Sequence, residues 1–257
     1  MRIDGAFRAR YRELEQRMQA LAEADGDVFL PNPEPEGPVH WLLICMEPSL
    51  GRWARSADQA RSKVDAGFRN FLSSIDTAIL HFCIRRYLCG PAERYHITDL
   101  SKGAMLVERA GRARVQRYDR WYPLLKEEID LVATPGADIV AVGNVVAGYL
   151  SRQGFPRPFT RIIHYSGLAG RARSAGIVGR EDGFEAFRDS VSLEDLVATA
   201  GAVLSATSVP AAMREEIMTQ LAREQLSTSR QHLIFNYKSA FESTRQRERV
   251  VPYHEPV

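Results

Sequence analysis

The chain has 257 residues, 45% hydrophobic and 26% charged, with 18 Gly and 13 Pro, a balance that excludes a disordered or fibrous protein and allows a buried core. A formal net charge of +2 excludes a blanket electrostatic grip on nucleic acid while leaving room for a local basic cleft. Three cysteines, Cys45, Cys83 and Cys89, exclude a disulfide framework and any all-cysteine zinc or iron–sulfur site, and point to a reducing, cytoplasmic setting.

Residues 6–24 set Phe7, Tyr11, Leu14, Met18 and Leu21 at three- and four-residue spacing, which predicts an amphipathic helix stopped at Gly26. The charged start MRIDGAFRARYRELEQR lacks the apolar stretch of a secretory signal, and the sequence has no run of eighteen apolar residues. Neither secretion nor a membrane span is expected. The proline-rich PNPEPEGP, residues 31–38, predicts a linker or loop. VHWLLICM from Val39 then reads as a buried parallel strand that breaks at Glu47-Pro48-Ser49-Leu50-Gly51.

Beyond it the pattern predicts a helix over 67–88, a strand over Arg94–Leu100, a helix over Tyr118–Val132, a strand over Ala137–Gly143, a helix over Asn144–Gln153 and a strand over Phe159–Ser166. Strands alternating with helices predict a three-layer α/β/α sandwich around a mostly parallel four-stranded sheet, with ligand residues collected beyond the carboxyl ends of the strands. Glu47, Asp99, Asn144, His164 and Ser166 sit at those ends. After residue 181 the pattern is helical, with Pro210 opening one helix. The organisation expected is an N-terminal helix and linker over 1–38, an α/β domain over 39–180 and a helical C-terminal extension over 181–257 packed on it. The stretch 229–257 mixes aromatic and basic residues; a tail packed on the core accounts for it as well as a nucleic-acid contact does, and it is left out of the site. Only four of the 34 basic residues are lysines, a bias that suits phosphate recognition and equally a GC-rich coding sequence.

The sequence contains no GxGxxG after a strand, no GxxxxGK[ST], no HExxH and no GxSxG, so dinucleotide, P-loop, HExxH-zinc and serine-elbow chemistry lack support. Acid–base and electrostatic chemistry remains. Glu47, stiffened by Pro48, can orient water or stabilise a developing cation, although a glutamate there also serves as a cap or a surface residue. His164 with Ser166 and the loop GLAGRAR, Gly167 to Arg173, can hold anionic oxygens, although a histidine at a strand end is often structural.

In order and in loop grammar these elements resemble the uracil-DNA glycosylase superfamily. Cys45-Met46-Glu47-Pro48 is similar to its first signature, Ile97-Thr98-Asp99-Leu100-Ser101-Lys102 to its ITN-x-x-K element, His164-Tyr165-Ser166-Gly167-Leu168 to its HPSPL element, and Ile139-Val140-Ala141-Val142-Gly143-Asn144 to the strand that precedes a helix in that family. The resemblance spans Val39 to Arg173. It implies a monofunctional DNA glycosylase that flips a nucleotide into a pocket and cleaves its glycosidic bond with water, needing no metal or nucleotide cofactor. Its partner would be DNA, duplex or single-stranded, with a flipped pyrimidine. It implies that Glu47 positions water and faces the sugar cation and that His164 polarises the base O2. Asp99, Pro48 and an aromatic platform, Phe68 with Trp53 as its rival, would hold the base. Ser49, Lys102, Ser166, Arg171 and Arg173 would hold the backbone, with Leu168 as the wedge.

Two departures matter. The family's glycine is Cys45 here and its carboxylate is one methylene longer, so the water site must be arranged differently. Asp99 stands where uracil-reading branches use asparagine. An ionised aspartate only accepts, which suits the cytosine N4 amino group; its N3 then requires a protonated aspartate or ring. Excision of ordinary cytosine would destroy the host genome, so a modified cytosine is expected, and the family's branches that attack hypermodified phage DNA make phage defence the expected context. Uracil excision in repair, a non-catalytic DNA-binding module on the same fold, and an unrelated hydrolase of small nucleosides are the competing expectations.

Overall fold

The computed structural model describes residues 5–51, 53–111 and 113–250; the side chains of Val107, Leu168 and residues 247–250 fall outside that description. In chain order the elements are α1 (Gly5–Ala24), β1 (Val28–Phe29), β2 (Val39–Cys45), α2 (Ala57–Asp65), α3 (Ile75–Cys83) continued by a π turn (Ile84–Leu88), β3 (Tyr95–Asp99), β4 (Gly103–Ala104), α4 (Val107–Ala110), α5 (Arg114–Val132) and β5 (Ala133–Val142). They continue with α6 (Asn144–Arg152), β6 (Phe159–Ile162), α7 (Gly170–Ala175), α8 (Glu181–Phe187), α9 (Leu193–Ser205), α10 (Ala211–Leu221) and α11 (Thr228–Val250). β3, β2, β5 and β6 lie side by side in that order, all parallel, while β1 and β4 form a separate antiparallel pair.

β2 is central, so both of its faces must be apolar, and side chains of alternating direction share the load. Trp41, Leu43 and Cys45 meet α3, α9 and α11 in one core, together with Ile97, Val140, Val142 and Ile162. Leu42 and Ile44 join Ile139 and Ala141 in the other, against Phe7 and Tyr11 of α1, Tyr118, Leu125 and Ile129 of α5, and Val146, Tyr149 and Leu150 of α6. The result is the α/β/α sandwich with its parallel four-stranded sheet. α11 belongs to the core, because Leu233, Ile234, Tyr237 and Phe241 are all buried in it. Among the described residues no helix is long and apolar enough to cross a membrane.

The expected helix over 67–88 is the main misreading. Ser74 caps α3 reciprocally with Thr77, so the helix begins only at Ile75 and residues 67–74 are loop. α2 was not expected either. Its mostly polar sequence buries only Ala60, too narrow a stripe for a periodicity argument.

Lys102, expected against phosphate, is 1% exposed. Its Nζ lies 2.6 Å from Glu128 Oε1, in a buried cluster where Thr98 Oγ1 (2.7 Å), His96 Nε2 (3.0 Å) and Tyr11 Oη (3.4 Å) also donate to that carboxylate. Burial alone would raise the Glu128 pKa, but the Lys102 charge and the bonds from His96 and Lys102 outweigh it and hold the group down at about 2. Its stabilising contribution is therefore complete above the ordinary value near 4.5 and is lost as pH falls toward about 2. Lys102→Met, which leaves the Glu128 charge buried without its counterion, is expected to destabilise the fold by roughly 3–5 kcal/mol in urea unfolding. A loss below 1 kcal/mol, or one that persists unchanged as pH falls through the acid window, would contradict this role.

Candidate functional site

The carboxyl ends of the parallel strands open into a cleft of about 900 Å3, which Glu47, Pro48 and Ser49 after β2 and His164, Tyr165 and Ser166 after β6 line together. Its other walls are the loop before α3 with Phe68, Asn70 and Phe71, Trp53, Asp76 at the start of α3, and Met213, Glu216, Ile217, Gln220, Glu224, Ser229 and Arg230 from the α10–α11 region.

His164 is set by its neighbours. Gly143, at the end of β5, has φ +97°, and a Cβ there would lie 3.3 Å from the His164 ring, so only glycine lets the two strand ends approach. His164 Nδ1 accepts the Ser166 amide N–H at 3.0 Å and lies 2.9 Å from Ser166 Oγ. A nitrogen that accepts is unprotonated, so the neutral ring carries its proton on Nε2. Burial, reinforced by the Arg173 guanidinium, lowers the His164 pKa to about 4. The ring stacks on Tyr165 at 4.5 Å, and Tyr165 meets Phe71 edge-on at 6.3 Å.

Phe71 and Asn70 were missed by the sequence reading, which placed them inside a helix; the Ser73-Ser74 cap signal was the available clue. Phe71 has φ +61°, costly for a bulky residue. Two bonds hold it there. Its N–H donates to Asn70 Oδ1 at 2.9 Å, and its carbonyl accepts from His81 Nε2 at 3.1 Å. Asn70 Nδ2 in turn donates to Asp99 Oδ2 at 2.9 Å, which fixes the amide's orientation.

Asp99 does not line the cleft itself. It is buried at the end of β3, and Asn70 stands between it and the cavity. Burial pushes its carboxyl well above the usual range, against the Lys102 charge and the Asn70 bond that pull it down. The expectation that Asp99 itself lines the pocket is therefore corrected: its carboxyl is buried behind Asn70, whose amide lines the cleft in its place.

Glu47 lines the cleft but its carboxylate is occupied, with the side chain 2% exposed. Oε1 accepts from Arg114 Nε at 2.9 Å and lies 2.8 Å from Arg114 Nη2 and 3.7 Å from Arg117 Nη2, while Tyr118 Oη donates to Oε2. Phe68 and Trp53, offered as rival platforms, are neighbours. Their rings stack at 4.7 Å and 12° and both line the cleft.

Of the expected backbone contacts, Ser49 and Ser166 line the cleft and Arg171 is exposed on α7 outside it. Arg173 is a wall rather than a free phosphate ligand: it is buried, donates to the Tyr165 carbonyl and lies 3.5 Å from Asp76 Oδ1. The side chain of Leu168, the expected wedge, lies outside the described residues. Arg230 belongs to the stretch 229–257 left out of the site, yet with Glu216, Gln220 and Glu224 it forms the far wall. Among the described residues no three His, Cys, Asp or Glu side chains converge as a metal site.

Comparison of the chain with protein-family models, with curated proteins and with solved structures gives no match. The site is therefore interpreted from its own chemistry.

The His164 tautomer has a direct measure. In a 15N NMR titration of the imidazole, Nε2 is expected to stay protonated and Nδ1 unprotonated down to a midpoint of about 4. A midpoint near the free-histidine value of 6.5 would show that the ring is neither desolvated nor held as described.

Proposed function

We propose that the protein is a DNA glycosylase, which takes an everted base into the cleft and hydrolyses its N-glycosidic bond to leave an abasic site. The observation that carries this reading is the His164 ring: a neutral imidazole with Nδ1 occupied, Nε2–H left without a protein partner among the described residues, in one cleft with a carboxylate. Breaking a glycosidic bond heterolytically leaves cationic character on the sugar and negative charge on the base oxygen. A neutral N–H donor binds an uncharged carbonyl weakly and the developing anion strongly, which is the differential that lowers a barrier. Glu47 supplies the countercharge to the sugar, water adds to the anomeric carbon as the glycosidic bond breaks and the base departs as an anion, and the proton the water loses ends on the departed base.

The flat walls of the cleft suit a base. Phe71, and the Trp53–Phe68 stack, offer aromatic faces, and base stacking on such faces contributes about 1–3 kcal/mol per base. Asn70 offers one donor and one acceptor in a plane whose orientation Asp99 and the Phe71 amide determine. That pair matches the N4–H and N3 edge of cytosine, and O4 and N3–H of uracil equally. The size of the cleft leaves room for a substituent on either base. At about 900 Å3 it is of the class that encloses ligands of drug size, far more than a bare pyrimidine fills. A modified pyrimidine is accordingly the substrate class proposed, with a modified cytosine of phage DNA as its first candidate.

The occupied Glu47 carboxylate favours a second reading, a module that binds an everted base or abasic site without cutting. Mass spectrometry of free bases liberated from a panel of genomic and phage DNAs separates the two. Base excision predicts one released base, with the rate lowered about 10²- to 10⁴-fold by His164→Ala and by Glu47→Gln. Salt-dependent DNA binding with no base released at any protein excess would establish the module instead.

Asn70→Ala is expected to reduce kcat/KM by roughly 1–3 kcal/mol, the worth of a paired donor and acceptor on a base edge, and to relax discrimination between bases. Equal loss on every base would show that Asn70 supports the loop without reading the substrate.

A further inference from the structure

The arginine-rich turn from Arg109 to Arg117 was not singled out by any motif, yet it governs Glu47. Pairing of Ser49 with Met105, through the Leu50 N–H to the Met105 carbonyl at 2.9 Å, seats the start of this turn against the loop that carries Glu47. Ala113 then takes φ +49° and turns the chain into α5, which brings Arg114, Arg117 and Tyr118 to one carboxylate.

The two guanidiniums differ. Arg117 is 7% exposed, anchored by Nη2 to the Ala110 carbonyl at 2.8 Å. Arg114 is 29% exposed, and both contacts it makes with Glu47 go to the same oxygen, Oε1. Arg114 is the exposed end of this pair, Glu47 being 2% exposed, and a phosphate that receives the planar fork in bidentate fashion can replace the contact it gives up. Withdrawal of Arg114 would not strand a buried charge, since Arg117 keeps its countercharge 3.7 Å from Oε1.

We infer that Arg114 is a substrate-operated latch: it occupies Glu47 Oε1 in the free protein and leaves it for a backbone phosphate when nucleic acid is seated, which frees that oxygen to hold the attacking water. Arg114 is thus a positioning residue, and the inference rests on the proposed base excision. It accounts for a carboxylate that lines the cleft with both oxygens taken. It also ties water activation to the presence of a sugar–phosphate chain, so a free nucleoside would find Glu47 closed.

The test uses the full chain and a duplex carrying a tetrahydrofuran abasic-site analogue, which requires no knowledge of the base. Binding is measured against salt concentration for the wild type, Arg114→Ala and Arg114→Lys, and the wild-type complex is solved. The latch predicts that Arg114→Ala lowers the slope of log K against log salt by about 1, that Arg114→Lys restores it, and that Arg114 lies on a phosphate in the complex with Glu47 Oε1 vacated. An unchanged slope, or Arg114 still on Glu47 in the complex, overturns the latch and leaves the glycosylase reading standing. Failure of the wild type to bind the duplex overturns both.

Discussion

A single buried carboxylate holds the sandwich to its functional edge. Glu128 on α5 accepts from Tyr11 of α1, from His96 and Thr98 of β3 and from Lys102 just beyond that strand. With that many donors the carboxylate is satisfied in a dry environment where an unpaired charge would be prohibitive. The consequence is geometric. Alternation along β3 sends His96 and Thr98 toward α5 and Asp99 toward the opposite face, where Asn70 meets it. The same helix carries Arg114, Arg117 and Tyr118 at its other end, on Glu47. α5 therefore sets both acidic groups, one directly and one through the strand it pins.

The second constraint is the strained turn at Asn70–Phe71. A bulky residue at φ +61° persists only where neighbours over-determine it, and here its amide and its carbonyl are both claimed, by Asn70 and by His81. His81 donates from Nε2, accepts from the Tyr95 hydroxyl at Nδ1 and is kept neutral by burial, with its pKa down at about 4. Two neutral histidines thus flank the aromatic wall, one under Phe71 and one stacked on Tyr165. Neutrality has the same cause in both, desolvation of the charged form, but only His164 has a nitrogen left over for a ligand.

The strands were legible because a parallel sheet covered on both faces shows uninterrupted apolar runs, and the runs ended where the chemistry began. β2, β3, β5 and β6 all lie within the expected segments or overlap them closely, and Glu47 and His164 share one cleft as expected. The errors arise from pairings that sequence spacing cannot display. Lys102 looks like any loop lysine until Glu128, on another element, is placed beside it at 2.6 Å. Asp99 looks like a base-reading acid until Asn70 is set in front of it. Glu47 looks free until a helix start 67 residues away delivers Arg114. In each case the availability of the residue is decided by a partner brought in by tertiary packing.

The C-terminal helices show the same rule on a larger scale. Amphipathic patterning predicts that they pack, but does not say against what. Tyr237 on α11 is buried and donates its hydroxyl to the Ile163 carbonyl at 2.9 Å, immediately before His164, while Arg230 at the start of the same helix lies 3.5 Å from Asp76 and 3.0 Å from Glu224 across the cleft wall. The helix thus orients the strand end that carries the imidazole and closes the far side of the cavity that the imidazole faces. Because α11 is also part of the main core through Leu233, Ile234 and Phe241, the width of the cleft is coupled to the stability of the fold. Ser229 and Arg230 of the far wall are carried by that core helix, while Glu216 and Gln220 come from α10 and Glu224 from the loop after it. The part of the wall that Ser229 and Arg230 supply is therefore held by the same packing that keeps the chain folded.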